Sequence, residues 1–150
     1  GDGDMAKMDI FDYQGLVEDS SVETVLVEFR DANDRLVAAC LTDCMSKGLS
    51  AVYSFFDPAL EDRSLGSYMI LWLIEEARRR QLEYVYLGFW IAGCGKMAYK
   101  ARYQPLEVYA GDGWHVLDPS DTVLPEGTSG NTGVVIPRDE PINLTFDDLL

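Results

Sequence analysis

Histidine is almost absent from this sequence, because His115 is the only one among 150 residues. That scarcity argues against a histidine-rich metal centre, and a Ser/His or Cys/His triad would depend on this single side chain. Cysteine is also scarce, with only Cys40, Cys44 and Cys94. An odd number at this spacing suits neither a disulfide framework nor a zinc site, so we expect reduced thiols and no bound metal.

The sequence also has no long apolar run and few positively charged residues. The longest apolar run, residues 68–74, is far shorter than the roughly 20 residues that span a membrane, and no signal-like segment opens the chain. We therefore expect a cytoplasmic protein without a membrane anchor. The net charge of −14, from 26 acidic and 12 basic residues, repels nucleic acid on average. A polyanionic partner would need a local basic patch.

Apolar residues are abundant, at 47% of the chain, which is enough for the core of one domain. Alternating residues and turn signals predict an antiparallel meander of three strands at 24–30, 36–42 and 49–56. Apolar residues then repeat every three or four positions, which predicts a helix over 64–80 with Ser64 as its N-cap. The remaining predictions are a short helix at 9–18, a strand at 84–89, a short helix at 96–102, and a hairpin of 106–109 with 114–117.

This order of elements predicts an α+β, acetyltransferase-like (GNAT-type) fold, in which a mostly antiparallel central sheet is flanked by helices. Residues 119–150 differ in composition, because prolines alternate there with glycine and serine. We interpret them as an extended tail with at most one short strand, at 133–136. The folded domain is then residues 1–118.

The segment Arg63-Ser64-Leu65-Gly66 lies between the third strand and the predicted helix. A helix start carries unpaired N–H groups and the positive end of the dipole, which suit a phosphate or a carboxylate. Acetyltransferases of this fold hold the coenzyme A pyrophosphate with an R-x-x-G-x-G/A segment at this place. Tyr68 stands here where the last small residue belongs, which disfavours coenzyme A. A helix cap followed by a packing glycine would explain the segment equally well.

A second candidate segment, residues 88–102, reads GFWIAGCGKMAYKAR. Lys96, Lys100 and Arg102 place three cations within seven residues of an acidic chain. These cations suit contacts with a nucleic-acid backbone, and the neighbouring aromatic side chains suit stacking on bases or ribose. The alternative is a solvated helix face that covers buried aromatic residues.

Both segments belong to a stretch that resembles the C-terminal domain of aminoacyl-tRNA–protein transferases. The similarity is carried by residues 53–107, with the strings YSFFDP, RSLGSYMILWLIEEA, YVYLGFWI and CGKMAYKARYQPLE, and it continues upstream through VETVLVEFRD and LVAACLTD. It covers roughly residues 5–117. The bacterial leucyl-transferases are the more similar branch, and the arginyl-transferases are the other. The N-terminal, cysteine-rich domain of the family has no counterpart in this sequence.

The resemblance implies an enzyme that moves leucine, or arginine, from a charged tRNA to the N-terminal Asp or Glu of an acceptor protein, which marks that protein for degradation. It implies no coenzyme A and no other cofactor, because the coenzyme groove takes the 3′ end of the charged tRNA. The implied partners are an aminoacyl-tRNA, in the first place leucyl-tRNA, and the acceptor protein.

For the reaction that the resemblance implies, our hypotheses for the catalytic roles fall at the end of the third strand. Asp57 would hold or deprotonate the attacking amine, although a capping role in the turn beside Pro58 would explain it as well. Backbone N–H groups in the stretch from Ser54 to Phe56 would stabilise the oxyanion that forms on the ester carbonyl.

The binding roles are spread more widely. The residues assigned to the tRNA are Arg63, Ser64, Gly66, Lys96, Lys100 and Arg102. For Lys96 and Lys100, the acidic side chain of the acceptor protein is the alternative ligand. The residues assigned to the wall of the leucyl pocket are Tyr53, Tyr86, Trp90 and Tyr99. Two rival functions stay open: an acyl-CoA-dependent N-acetyltransferase, favoured by the order strand, RxxG and helix, and a non-catalytic protein-binding module with an acidic surface.

Overall fold

The computed structural model describes residues 15, 21–91, 94–110, 113–117 and 129–136. The short helix expected at 9–18 lies outside these residues, apart from Gly15. Within the described ranges, no helix is both long enough and apolar enough to cross a membrane.

Seven strands of the described chain form one sheet, in the order β1-β2-β3-β4-β7-β5-β6. The strands are β1 (Glu23–Arg30), β2 (Leu36–Cys44), β3 (Gly48–Phe56), β4 (Tyr84–Ile91), β5 (Leu106–Ala110), β6 (Gly113–Leu117) and β7 (Ser129–Val135). All neighbours are antiparallel except β3 and β4, which run parallel. The predictions of a mostly antiparallel sheet, of the three-strand meander and of the hairpin are therefore confirmed.

The strand predicted at 133–136 is present as β7, and it starts earlier than expected. It pairs with β4 on one side and with β5 on the other, so it is an interior strand. Val134 is completely buried there, and a side chain at Gly130 would collide with the backbone carbonyl of Tyr109. The sheet of residues 1–118 thus takes in a strand from the proline- and glycine-rich segment.

The helix α1 (Leu65–Arg79) packs on one face of the sheet, chiefly against β3 and β4. Its buried residues are Met69, Ile70, Leu71, Leu73, Ile74 and Ala77. Full burial of one leucine or methionine side chain stabilises a fold by about 1.5–3 kcal/mol, so this apolar face holds the helix in place. Ser64 is the N-cap residue of α1, as the sequence predicts, but it does not cap the helix through its side chain. Its backbone is left-handed, at φ 49° and ψ 37°, and its side chain makes no capping hydrogen bond.

A 3₁₀ segment follows each of the two parallel strands. Pro58–Arg63 connects β3 to α1, and Gly95–Arg102 lies beyond β4. The short helix predicted at 96–102 is therefore present, in 3₁₀ form. Because parallel strands end at the same edge of a sheet, both segments begin on the same side of the molecule.

Candidate active site

The parallel strands β3 and β4 separate after a short paired stretch. Their pairing covers residues 48–50 and 84–86, whereas the strands continue to Phe56 and Ile91. β4 bends at Gly88, which has φ +75° and follows a register shift against β7. A residue with a side chain is strained in that conformation, so glycine permits the bend. The strands therefore leave a gap between their carboxyl ends.

A cavity of about 330 Å³ occupies this gap. α1 contributes apolar side chains to it, including Met69 and Ile70, and β2 contributes the thiol of Cys40. Burial raises the pKa of that thiol, so Cys40 stays protonated and is a poor nucleophile. The polar part of the lining comes from Ser54 and Tyr53 of β3 and from the Gly95–Arg102 segment.

Lys100 is the only charged side chain on the described lining of this cavity. It is only 7% exposed, and its ammonium group donates a hydrogen bond to the backbone carbonyl of Phe89. Burial lowers the pKa of Lys100, because desolvation disfavours the charged form. The alternative of a solvated helix face is therefore wrong for this residue, whose amine lies at the gap.

Three residues assigned from the sequence meet at the same cavity. Tyr53 and Ser54 line it from β3, and Tyr99 lines it from the 3₁₀ segment beyond β4. Burial raises the pKa of Tyr99, so its hydroxyl stays protonated and is available as a hydrogen-bond donor. The structure thus gathers one amine and three hydroxyl-bearing side chains around an otherwise apolar space.

A second cavity, of about 240 Å³, lies at the start of α1. Ser64 and Gly66 line it, and their contact with a ligand stays a prediction. The first N–H groups of a helix have no acceptor within the helix, so this end of α1 can donate to a ligand. Glu61 adds a carboxylate to the same lining. The two cavities share Ser54, Gly66, Ile70 and Tyr99, and are therefore adjacent.

The backbone of β3 offers donors to the gap. The N–H of Asp57 bonds to the carbonyl of Val37, which belongs to β2. Because successive residues of a strand direct their backbone groups to opposite edges, the N–H groups of Phe56 and Ser54 point away from β2, toward β4. Beyond Ser50, the described part of β4 does not pair with β3. This geometry is compatible with the predicted oxyanion role of this backbone.

Asp57 lies outside the linings of both cavities. Its carboxylate accepts a hydrogen bond from the backbone N–H of Ala59 at 2.9 Å, which caps the Pro58–Arg63 segment. The same carboxylate forms an ion pair with Arg35. The geometry favours the capping role for Asp57, and its role as a base stays a prediction.

Other assigned residues lie away from the cavities. Tyr86 stacks on Tyr84 with ring centroids 5.6 Å apart, and lines neither cavity. Trp90 is buried in the core, at 7% exposure, and also lines neither. The structure therefore does not bring either ring to the predicted leucyl pocket.

The assigned surface cations are also separate from the cavity linings. Arg63 and Arg102 are exposed, and neither belongs to the lining of either cavity. The backbone of Lys96 lies in the Gly95–Arg102 segment, and its side chain lies outside the described part of the structure. Contacts of these cations with tRNA stay predictions.

Two parts of the site were not predicted from the sequence. Gly88 shapes the gap, and the apolar residues Met69 and Ile70 of α1 line it. The only available signal for Gly88 was a glycine inside a predicted strand, a feature that often marks a bulge. For the helix residues, their apolar spacing predicted burial but not exposure to a cavity.

A search of solved structures places the fold among acetyltransferases. The ribosomal-protein-S18-alanine N-acetyltransferase from Escherichia coli matches with a TM-score of 0.52 and 12% sequence identity, over 88% of this chain and 81% of that chain. At this identity the likeness concerns the fold alone. The predicted acetyltransferase-like fold is confirmed.

The sequence comparisons identify the family. The profile described as "Arginine-tRNA-protein transferase, C terminus" matches residues 2–110. The aspartate/glutamate leucyltransferase of Paramagnetospirillum magneticum is 59% identical over 119 residues, which are 79% of this chain and 49% of the relative. The enzyme of the same name from Rhodospirillum rubrum is 56% identical, over 79% of this chain and 48% of the relative. The chain therefore belongs to the aminoacyl-tRNA–protein transferase family, and it spans about half the length of these relatives.

Proposed function

We propose that this chain carries the catalytic site of an aminoacyl-tRNA–protein transferase, which moves leucine from charged tRNA to the N-terminal Asp or Glu of an acceptor protein. The single observation that carries the proposal is the gap between β3 and β4, where two adjacent cavities bring together backbone of β3 that does not pair with β4, hydroxyl groups and a buried amine. The names of the relatives favour leucine as the amino acid and Asp or Glu as the acceptor.

Aminoacyl transfer requires mainly that the protein position the two reacting groups. The neutral α-amine of the acceptor attacks the ester carbonyl that joins leucine to the terminal ribose. A C–N bond forms, the C–O bond to the ribose breaks, the amine loses a proton, and the ribose oxygen leaves as a hydroxyl. Because an α-amine has a pKa of about 8, a useful fraction is neutral near pH 7 without a strong base. Orientation and oxyanion stabilisation supply most of the acceleration.

In this proposal, the two adjacent cavities bind different substrates. The 3′ end of the tRNA lies over the second cavity, with the N–H groups at the start of α1 toward its ribose and phosphate. Glu61, on the same lining, suits the α-ammonium group that the leucyl residue carries. The N–H groups of Ser54 and Phe56 stabilise the oxyanion, and Tyr53 and Tyr99 enclose the reacting groups.

The proposal also covers the cellular compartment of the reaction and the fate of the acceptor protein. Charged tRNA is a cytoplasmic substrate, so we place the reaction in the cytoplasm, where the added leucine would mark the acceptor for degradation. Because the net charge is −14, the tRNA would need contacts from exposed cations such as Arg63 and Arg102, or from a further part of a longer protein.

The direct test is transfer of labelled leucine, and separately of labelled arginine, from charged tRNA to a peptide that begins with Asp. The relative from Paramagnetospirillum magneticum serves as the positive control. Leucine transfer by this chain is the expected result. Transfer by the relative but not by this chain would contradict the proposal that the catalytic groups all lie within these residues.

The acetyltransferase fold makes an acyl-CoA-dependent N-acetyltransferase the second candidate. In this chain Tyr68, which stands at the last small position of the coenzyme segment, packs edge-on against Phe29 with ring centroids 5.7 Å apart. A calorimetric titration with acetyl-CoA separates the two functions. Binding of acetyl-CoA together with acetylation of a peptide amine would favour the acetyltransferase, and the absence of both is the result that we expect.

A further inference from the structure

Lys100 has more hydrogen-bonding capacity than its described neighbours use. An ammonium group has three N–H donors, and the carbonyl of Phe89 accepts one of them. Among the described residues, no carboxylate lies within ion-pair distance of this amine. The side chain is nevertheless buried, at 7% exposure, and it lines the larger cavity.

A buried cation without a counter-charge is costly, because it has left water without gaining an anionic partner. A carboxylate entering the cavity would supply that partner and would form a charge-assisted hydrogen bond. The hydroxyl groups of Ser54 and Tyr99, on the same lining, could donate to its second oxygen. The chain is otherwise strongly acidic, so an acidic ligand would be repelled at most other places.

The smaller cavity does not suit the same ligand. Its lining carries the carboxylate of Glu61, which would repel a second carboxylate, and no cation among the described residues. The larger cavity is therefore the one that fits an acidic side chain. A volume of about 330 Å³ is at the lower end of the range for small-molecule sites and is ample for the first residue of a peptide.

From this geometry we propose that Lys100 binds the side-chain carboxylate of the acceptor's N-terminal Asp or Glu, and that the larger cavity is the site for that residue. The inference rests on the proposed function and assigns its acceptor specificity to one amine. The acceptor's α-amine would then lie where the two cavities meet, beside Ser54 and Tyr99, and within reach of an aminoacyl ester held at the start of α1.

The test is a calorimetric titration of this chain, without tRNA, by two short peptides that differ only in an N-terminal Asp or Asn. The two side chains have nearly the same shape, so charge is the variable. We expect the Asp peptide to bind at least about tenfold more tightly. Equal affinities, or binding of neither peptide, would overturn the proposal.

Two variants of Lys100 test whether this residue causes the preference for the Asp peptide. Lys100→Met should remove it by weakening the Asp peptide to the level of the Asn peptide, whereas Lys100→Arg should keep it. Lys47→Met is the control, because Lys47 is exposed in the β2–β3 turn at the opposite end of β3. A folded Lys100→Met protein that still prefers Asp would contradict the assignment. Should this variant fail to fold, the comparison of the two peptides on the unmodified chain still decides.

The binding test is independent of transfer. A chain that prefers the Asp peptide but transfers no leucine would retain the carboxylate site while the proposed function fails. A chain that transfers leucine to Asp and Asn peptides with equal kcat/KM would retain the function while the carboxylate site fails.

Discussion

The hydroxyl of Thr132 donates a hydrogen bond of 2.8 Å to the backbone carbonyl of Gly88. Thr132 belongs to β7, the strand from the proline- and glycine-rich segment, and Gly88 is the bend of β4 that opens the cavity. The threonine is completely buried, so the bond is shielded from water. The last described strand therefore stabilises the backbone that forms one wall of the candidate active site.

Thr132→Val tests the contribution of this bond. The replacement keeps the shape of the side chain and leaves the Gly88 carbonyl without its hydroxyl partner, so we expect the free energy of unfolding to fall by about 1–2 kcal/mol. Thr42→Val is the matched control, because Thr42 is equally buried in β2 but donates only to the sulfur of Cys40, at 3.5 Å. Urea denaturation of both variants measures the difference. A larger loss of unfolding free energy for Thr42→Val would show that the hydrogen bond of Thr132 does not contribute more to stability than that of Thr42.

Much of the fold followed from local patterns. The meander, α1 and β4 were predicted within a few residues, because alternating and three-to-four spacing of apolar residues are properties of each segment alone. The place of β7 was not predictable in this way. Its insertion between β4 and β5 depends on pairing with segments far away in the chain, and glycine, which favours a turn locally, is needed at Gly130 for a close backbone approach.

The site was predicted less completely for a related reason. Lys96, Lys100 and Arg102 have the spacing of a basic surface, yet Lys100 is buried because the 3₁₀ segment brings it beside Phe89 at the gap. Tyr86 and Tyr99 were both assigned to a pocket wall, but only Tyr99 lines a cavity. Residue types identified the region, and tertiary packing decided which members of it face the cavity.

Asp57 provides a prediction that separates a structural role from a catalytic one. Asp57→Ala removes the cap of the Pro58–Arg63 segment and the ion pair with Arg35, so we expect a loss of about 1 kcal/mol in stability. Asp57→Asn keeps an oxygen that can accept from Ala59, and should lose less. The pH dependence of leucine transfer by Asp57→Asn should match that of the unmodified chain. A stable Asp57→Asn protein with a strongly reduced rate would instead support Asp57 as the base.

Glu76 provides a prediction about pH. A hydrogen bond from Arg79 is the main cause that lowers the pKa of Glu76 from 4.5 to about 2. Burial opposes this shift, and a hydrogen bond from Arg80 adds to it. Since the pKa is lower in the folded state, the carboxylate stabilises the fold above pH 4.5, and this contribution disappears as the pH falls toward about 2.

Glu76→Gln should therefore lower the stability at pH 7 by about 1 kcal/mol. The difference in stability between Glu76→Gln and the unmodified chain should disappear as the pH falls into the acidic range. Glu75→Gln is the control, because Glu75 pairs with Arg78 alone. If the stability difference for Glu76→Gln persists unchanged at pH 2, the loss of stability comes from packing and not from the ion pairs.

We expect aminoacyl transfer to take place in the gap between β3 and β4. Tyr53 and Phe55 offer a matched pair to test it, because both are partly exposed on β3, at 37% and 42%, with ring centroids 6.3 Å apart. Only Tyr53 lines the larger cavity.

The decisive measurement is kcat/KM for leucine transfer to an Asp-initiated peptide by Tyr53→Ala and by Phe55→Ala. Because a group that positions the reactants affects the rate strongly, we predict a loss of at least about tenfold for Tyr53→Ala and a change within about twofold for Phe55→Ala. An equal effect of the two replacements, or no effect of Tyr53→Ala, would contradict the placement of the reaction in this gap.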